Sequence, residues 1–314
     1  MKDPLDRFWR VFYVHMKIRK SITTYLNWKS GHTKHSYVPY KRQLKLFADY
    51  LDSIGITELD TITNDHIVRY HNQMEEAGYK DATIAYSAII LRNYFWFWKG
   101  RKETKVINEE IKPIPFINTE KDIVTEEDFE QLTMVLDDRY AEDLVKKLVL
   151  HLLWDTGMRV SELLDIKLTD ISKQGKQGLR TARVRTRKSM RYDLVVWGAD
   201  TNVLLNNYLG IRLCMNTDSK YLLINPKTKK RYTPRSIQRW MKQITEMTLI
   251  DKNITPHSFR HGKANNILEQ GGNMRDVSAL LRHVSPTSSF HYLQLCEKRY
   301  KETAGRFLKT EVVN

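Results

Sequence analysis

Cysteine is nearly missing from the chain: 314 residues contain only Cys214 and Cys296. Two thiols exclude a disulfide framework or a cysteine-built zinc site, and predict reduced side chains in a cytoplasmic protein. Long apolar runs are missing too, since no stretch approaches the roughly 18–20 residues that a bilayer span needs. The opening MKDPLDRFWR places acids and aromatics where a signal peptide carries a basic region and an apolar core, so no export signal is expected. There is no H-E-x-x-H, no acidic cluster and no Gly-rich phosphate loop, so neither a metal nor a nucleotide cofactor is expected. Acid is scarce relative to base: 37 Asp and Glu against 52 Lys and Arg leave a formal charge of +15. Such an excess calls for a polyanionic partner, nucleic acid first; an anionic membrane surface would attract the same charge.

What is present is mostly helical. Tyr40, Leu44, Phe47 and Leu51 recur at helical spacing, with Lys41, Arg42 and Lys45 off that stripe, giving an amphipathic helix with a basic flank. Leu5, Phe8, Trp9, Phe12 and Met16 mark an earlier stripe, followed by a helix near 18–29. Thr63-Asn64-Asp65 offers an N-cap and Gly78 a stop; a further helix puts Ile84, Ala88, Leu91, Phe95 and Trp98 on one face. Residues 1–100 are thus expected to form a small helical domain. The next stretch, 101–121, is charged, broken by Pro113 and Pro115 and without a sustained period, which predicts an exposed linker. A second domain, 122–314, begins with a capping pair at Thr125 and Asp128 and helices over 126–136 and 141–156, the latter stopped by Gly157. β-Branched and aromatic residues then predict strands at 166–171, 180–187 and 191–197, and helix resumes from Thr233-Pro234 with Ile237, Met241 and Ile244 on one face. The fold class expected is mainly α with a small antiparallel β-sheet.

The hairpin is strongly basic. From Ser172 to Tyr192 there are eight Lys or Arg residues and no acid. Alternate residues of a strand share a face, so Arg183, Arg185 and Arg187 line one side like a comb, with Arg191 on the returning strand. Duplex DNA carries a negative charge about every 1.7 Å of axis, and such a comb suits it. A solvated edge strand charged against aggregation is the plainer alternative.

Four segments carry chemistry: DTGMRVSELL (155–164), RKSMR (187–191), PHSFRHG (256–262) and LLRHVSPTSSFHYLQL (280–295). Together, in this order, they resemble the tyrosine recombinases, the integrase and Xer-type site-specific recombinases. That family carries an arginine followed three residues on by glutamate, as at Arg159 and Glu162, and a lysine in a β-hairpin turn, matched by Lys188. Its H-x-x-R box falls on His257 and Arg260. Its later histidine falls on His283, and the nucleophilic tyrosine nine residues beyond falls on Tyr292 rather than the nearby Tyr300. The chain departs from the family in two places. Leu-Gly-His is Leu281-Arg282-His283, which alters the local turn or its DNA contact, and the threonine pair before the tyrosine is Ser288-Ser289.

The chemistry requires these residue types. Attack of a tyrosine oxygen on a phosphodiester builds negative charge on the non-bridging oxygens, and two permanently charged, bidentate guanidiniums, Arg159 and Arg260, suit a clamp on them. The phenol, with an ordinary pKa near 10, must lose its proton, and the departing 5′ oxygen must gain one. The resemblance gives the first task to His257 as base or shuttle and the second to Lys188, with His283 hydrogen-bonding the phosphate. His261 and Glu162 are expected to be supporting residues.

The resemblance further implies a two-domain, C-shaped clamp on duplex DNA, made of a helical core-binding domain of the SAM-like kind and a catalytic domain. It implies strand cleavage through a 3′-phosphotyrosine and a Holliday junction in resolution or mobile-element integration and excision. It also implies a tetramer on a specific site and a cytoplasmic, nucleoid-associated location. The stripe Tyr300, Ala304, Phe307 and Leu308 makes the C-terminal helix the expected contact between protomers. A type IB topoisomerase would share much of the chemistry, and an inactive DNA-binding relative would share the charge.

Overall fold

The computed structural model describes residues 16–32, 37–101, 103–116, 122–173, 175, 178–186 and 191–282. The chain divides into two compact units, Met1–Thr119 and Glu120–Asn314. The helix expected around Leu5, Phe8, Trp9 and Phe12 lies outside the described residues.

The first unit contains α1 (Ile18–His32), α2 (Tyr37–Ser53), α3 (Asn64–Glu76) and α4 (Asp81–Lys99). The stripe Tyr40, Leu44, Phe47 and Leu51 is buried on α2, and Arg19 of α1 ties the two helices by bonding Asp49 at 2.8 Å and Asp52 at 2.6 Å. Gly78 ends the α3 segment with φ 74°, a left-handed conformation that glycine adopts without a Cβ clash. The predicted face of α4 is buried, but so are Ala85, Ser87, Ile90, Tyr94 and Phe97. A helix covered around most of its circumference is the central post of its unit. Tyr94 meets Tyr25 of α1 edge to face at 5.4 Å, a favoured arrangement of aromatic quadrupoles.

Residues 103–111, expected to be exposed chain, instead pack on this unit. Val106 and Ile111 enter its core, and the Asn64 side chain both accepts from the Ile107 N–H (2.8 Å) and donates to its carbonyl (2.9 Å). Charge and proline signalled exposure, but two well-spaced apolar anchors and one amide are enough to hold the segment down.

The second unit is built on α6 (Ala141–Thr156), with α5 (Glu126–Met134) before it. Leu144, Leu148, Val149, Leu152 and Leu153 of α6 are all but inaccessible, and α8 (Ala199–Leu213), α10 (Pro256–Glu269) and the strand Arg191–Trp197 pack around it. Thr125 and Asp128 form the predicted capping box: the Asp128 N–H donates to Thr125 Oγ1 at 3.2 Å and the Thr125 N–H to Asp128 Oδ2 at 2.9 Å. The sheet is a two-stranded antiparallel hairpin, β1 (Arg180–Thr186) and β2 (Arg191–Trp197). Residues 166–171 are not a third strand. Leu168–Asp170 is one 3-10 turn, closed where the Asp170 carboxylate accepts from the Lys167 N–H at 3.0 Å, with single bridges at Lys167–Tyr221 and Ile171–Ala182. An aspartate that can bond backbone two or three residues away favours a turn over an extended ladder. Helices α7 (Val160–Asp165), α9 (Pro234–Glu246) and α11 (Met274–Leu280) complete the unit.

Candidate active site and nucleic-acid interface

Three segments distant in sequence converge at the C-terminal end of α6. The helix stops at Gly157 with φ 54°, and a Cβ there would lie 2.5 Å from Leu281 and 3.2 Å from Lys263. Only glycine lets the turn sit this close to α10 and to the residue before Arg282. Gly262 performs the same service for α10: a Cβ would fall 2.2 Å from the Val124 carbonyl oxygen, so this helix meets the start of the unit backbone to backbone. Thr255 caps α10, accepting the Ser258 N–H at 3.3 Å, and Pro256 occupies its first turn, where no N–H partner is required.

Arg159 stands at the N-cap of α7, a position where a cation opposes the helix dipole and supplies no acceptor. Glu162, three residues on, compensates. Its Oε2 accepts the Arg159 N–H at 3.0 Å and its Oε1 accepts from Arg159 Nη1 at 2.8 Å. The Arg159 side chain is 30% exposed while that of Glu162 is 2% exposed, so the guanidinium is anchored from within and open from without. A second guanidinium reaches the same carboxylate: Arg282 Nη2 lies 3.2 Å from Glu162 Oε2. Burial pushes the Glu162 carboxyl up, but the Arg159 N–H and the two guanidiniums outweigh it and hold the group below the ordinary carboxylate range.

Arg260 is buried on α10. Its Nη1 donates to the Gly157 carbonyl at 2.7 Å and its Nη2 to the Leu281 carbonyl at 2.5 Å, which fixes the plane of a guanidinium that has five N–H groups in all. His257, one helical turn earlier, is exposed, and His261 is half-buried. The structure therefore brings Arg159, Glu162 and Arg260 to one turn with His257 beside them in sequence on α10. Lys188, His283 and Tyr292, and the tail with Tyr300, Ala304, Phe307 and Leu308, lie outside the described residues.

On the hairpin, Ala182, Val184 and Thr186 are buried and Arg183 and Arg185 exposed, so the comb is present for these two. They stand opposite Leu194 and Tyr192, both exposed. Arg183 also lies 3.7 Å from Asp170, a long contact from an exposed arginine and of little energetic weight. Arg187 and the Arg191 side chain lie outside the described residues. Lys41, Arg42 and Lys45 are exposed on α2, with Lys45 3.5 Å from Asp49. A second basic run, 227–239, lies outside the expected DNA-contacting set; it holds Lys227, Lys229, Lys230, Arg231, Arg235 and Arg239 and no acid. Arg235 and Arg239 are exposed one turn apart on α9, whereas Arg231 turns inward to Asp165 and the Leu164 carbonyl. The absence of acid over 13 residues was the available signal.

A family profile described as "Phage integrase family" matches residues 122–299, and "Phage integrase, N-terminal SAM-like domain" matches 22–102. The chain is 26% identical over 298 residues to tyrosine recombinase XerC of Listeria innocua, covering 91% of this chain and 96% of that one. Its fold is similar to that of XerH site-specific recombinase bound to palindromic difH substrate in a post-cleavage complex, with TM-score 0.73, 19% identity and 97% and 89% of the two chains covered. It is also similar to the lambda integrase tetramer bound to a Holliday junction, with TM-score 0.70, 14% identity and 91% and 83% covered.

Proposed function

The chain belongs to the phage integrase family and is a tyrosine recombinase, an enzyme of site-specific DNA strand cleavage and rejoining, and from that premise we propose how its residues divide the chemistry. Arg159 and Arg260 clamp the non-bridging oxygens of the scissile phosphate, and Tyr292 attacks the phosphorus to form the 3′-phosphotyrosine. His257 takes or relays the phenol proton, Lys188 protonates the departing 5′ oxygen, and His283 hydrogen-bonds the phosphate. The observation that carries this reading is the joining of Arg260 to the Gly157 carbonyl, two residues before Arg159, so that two guanidiniums converge on one turn. Fixed donors of this kind are worth most when charge develops in the transition state, because no reorganisation is needed at that moment.

Arg183, Arg185, Arg187 and Arg191 of the hairpin and Lys41, Arg42 and Lys45 of α2 contact the DNA backbone, and Arg235 and Arg239 extend that set. The helical domain over 1–100 and the catalytic domain over 122–314 engage the same duplex. Four protomers assemble on two sites, as the lambda integrase tetramer does on a Holliday junction. Residues 297–310 bury the stripe Tyr300, Ala304, Phe307 and Leu308 in a neighbouring protomer. As an enzyme acting on DNA, it works in the cytoplasm at the nucleoid. Two assays test the reading: trapping the covalent complex on a nicked suicide substrate excludes an inactive relative, which would give no adduct, and a relaxation assay on plasmid lacking any cognate site excludes a topoisomerase-like enzyme, which would relax it.

A further inference from the structure

The family pattern that the chain resembles has glycine where this chain has Arg282. The backbone explains the glycine: Arg282 holds φ 56°, the left-handed region that side chains other than Gly, Asn and Asp seldom occupy. What the arginine does there is visible in its contacts. Its side chain is 5% exposed and folds inward, Nη1 donating to the Leu280 carbonyl at 2.9 Å and Nη2 to Glu162 Oε2 at 3.2 Å. The other oxygen of that carboxylate holds Arg159 Nη1 at 2.8 Å. A side chain recruited to touch DNA would face solvent; this one ends on the carboxylate that orients Arg159.

We infer that Arg282 is a positioning residue, which pins Glu162 between two guanidiniums and so presents Arg159 to the scissile phosphate. The inference rests on Arg159 acting as a phosphate clamp. With Glu162 alone, Arg159 forms a pair of no net charge, and the carboxylate competes with the phosphate for its donors. With Arg282 the carboxylate is shared, the three groups carry one net positive charge, and Arg159 is left to meet a phosphate whose negative charge grows during attack. The Arg282–Glu162 pair is nearly inaccessible to solvent, so their interaction is weakly screened. Among the described residues, Asp193 of β2 acts on Arg282, and the two arginines themselves act on Glu162.

Arg282→Gly tests this without straining the backbone, because glycine adopts the left-handed conformation freely. Single-turnover cleavage of a suicide substrate and half-site binding are measured across pH for the full chain, with Arg282→Lys and Glu162→Gln alongside. The inference expects Arg282→Gly to slow cleavage about 10- to 100-fold, the scale of a misplaced reacting group, with binding within about twofold. Removing one guanidinium raises the Glu162 carboxyl, so the acid limb of the rate profile moves to higher pH, and Arg282→Lys moves it back towards the parent. In a Glu162→Gln background the further loss from Arg282→Gly shrinks to less than about threefold, since the partner is already altered. An unchanged rate and acid limb in Arg282→Gly overturns the inference, as does equal loss of binding and cleavage. If Arg282→Gly does not fold, a rate for Arg282→Lys no nearer to the parent than that of Glu162→Gln overturns it. Arg159→Ala is the control: if it cleaves normally, the clamp assignment falls and this inference with it, whereas a dead Arg159→Ala beside an unaffected Arg282→Gly removes the inference alone.

Discussion

Arg260 and Gly157, 103 positions apart in sequence, are joined by a 2.7 Å hydrogen bond from guanidinium Nη1 to backbone carbonyl. The bond ties the H-x-x-R helix to the turn that carries Arg159, so one residue serves both the fold and the proposed clamp. Replacing Arg260 with alanine is expected to lower single-turnover cleavage by roughly 10²–10³. It also leaves the buried carbonyls of Gly157 and Leu281 without these donors, at about 1–3 kcal/mol for each unsatisfied group. Chemical denaturation and cleavage assays on the same preparation separate the two effects. A rate loss that tracked the unfolded fraction would reduce Arg260 to a structural residue.

The hairpin predicts a salt signature. If Arg183 and Arg185 neutralise phosphates, each alanine variant should make the plot of log affinity against log salt shallower by about 1, because counterion release scales with the phosphates contacted. Cleavage at saturating protein should hardly change. Equal slopes for parent and both variants would leave the exposed arginines as a solvated edge.

His71 gives a pH dependence confined to the helical unit. Burial holds its imidazole down at about 4, below the ordinary value of about 6.5 in an unfolded chain. The unfolded state therefore takes up the proton first. Stability from the neutral ring is complete above about pH 6.5 and is lost as pH falls towards 4, by at most about 1.4 kcal/mol per unit. Unfolding free energies at pH 7.5 and 4.5 should differ more for the parent than for His71→Leu, by roughly 1–3 kcal/mol. An equal acid loss in the two would place the sensitivity elsewhere.

Much of the fold is legible in the sequence. Helix α6 could be placed because an apolar period ran unbroken into Gly157, a residue suited to the left-handed stop. The hairpin could be placed because β-branched and aromatic residues gather in two short runs, 180–187 and 191–197. The strand expected at 166–171 failed because β-branched composition does not register an aspartate bonding its own turn. The packing of Val106 and Ile111 was hidden for a different reason, since their partners lie across the unit and leave no local period. The missing glycine marks Arg282 as a departure from the family that alters the turn or a DNA contact, but neither the left-handed backbone it keeps nor the direction of its side chain is legible in the sequence. Its partner Glu162 is 120 residues away, and no local pattern names it.

The tail can be tested by removal. A chain ending after residue 298 loses Tyr300, Ala304, Phe307 and Leu308, and should still occupy a half-site with parental affinity. Cooperative filling of the second half-site should fall. Burial of Phe307 and Leu308 at about 1.5–3 kcal/mol each, before ordering costs, sets the scale of the coupling. Gel-shift titration on a full site reads it directly, and undiminished cooperativity in the folded truncation would mean that the stripe packs within its own chain.

The central claim, that Tyr292 attacks a phosphate held by Arg159 and Arg260, is most directly tested by trapping the covalent intermediate. On a nicked suicide substrate the parent should accumulate a protein–DNA adduct whose linked peptide contains Tyr292. Tyr292→Phe keeps the ring and the phosphate contacts but has no attacking oxygen, so it should bind with parental affinity and form no adduct. An adduct formed by Tyr292→Phe, or a linked peptide that maps to Tyr300, would contradict the account.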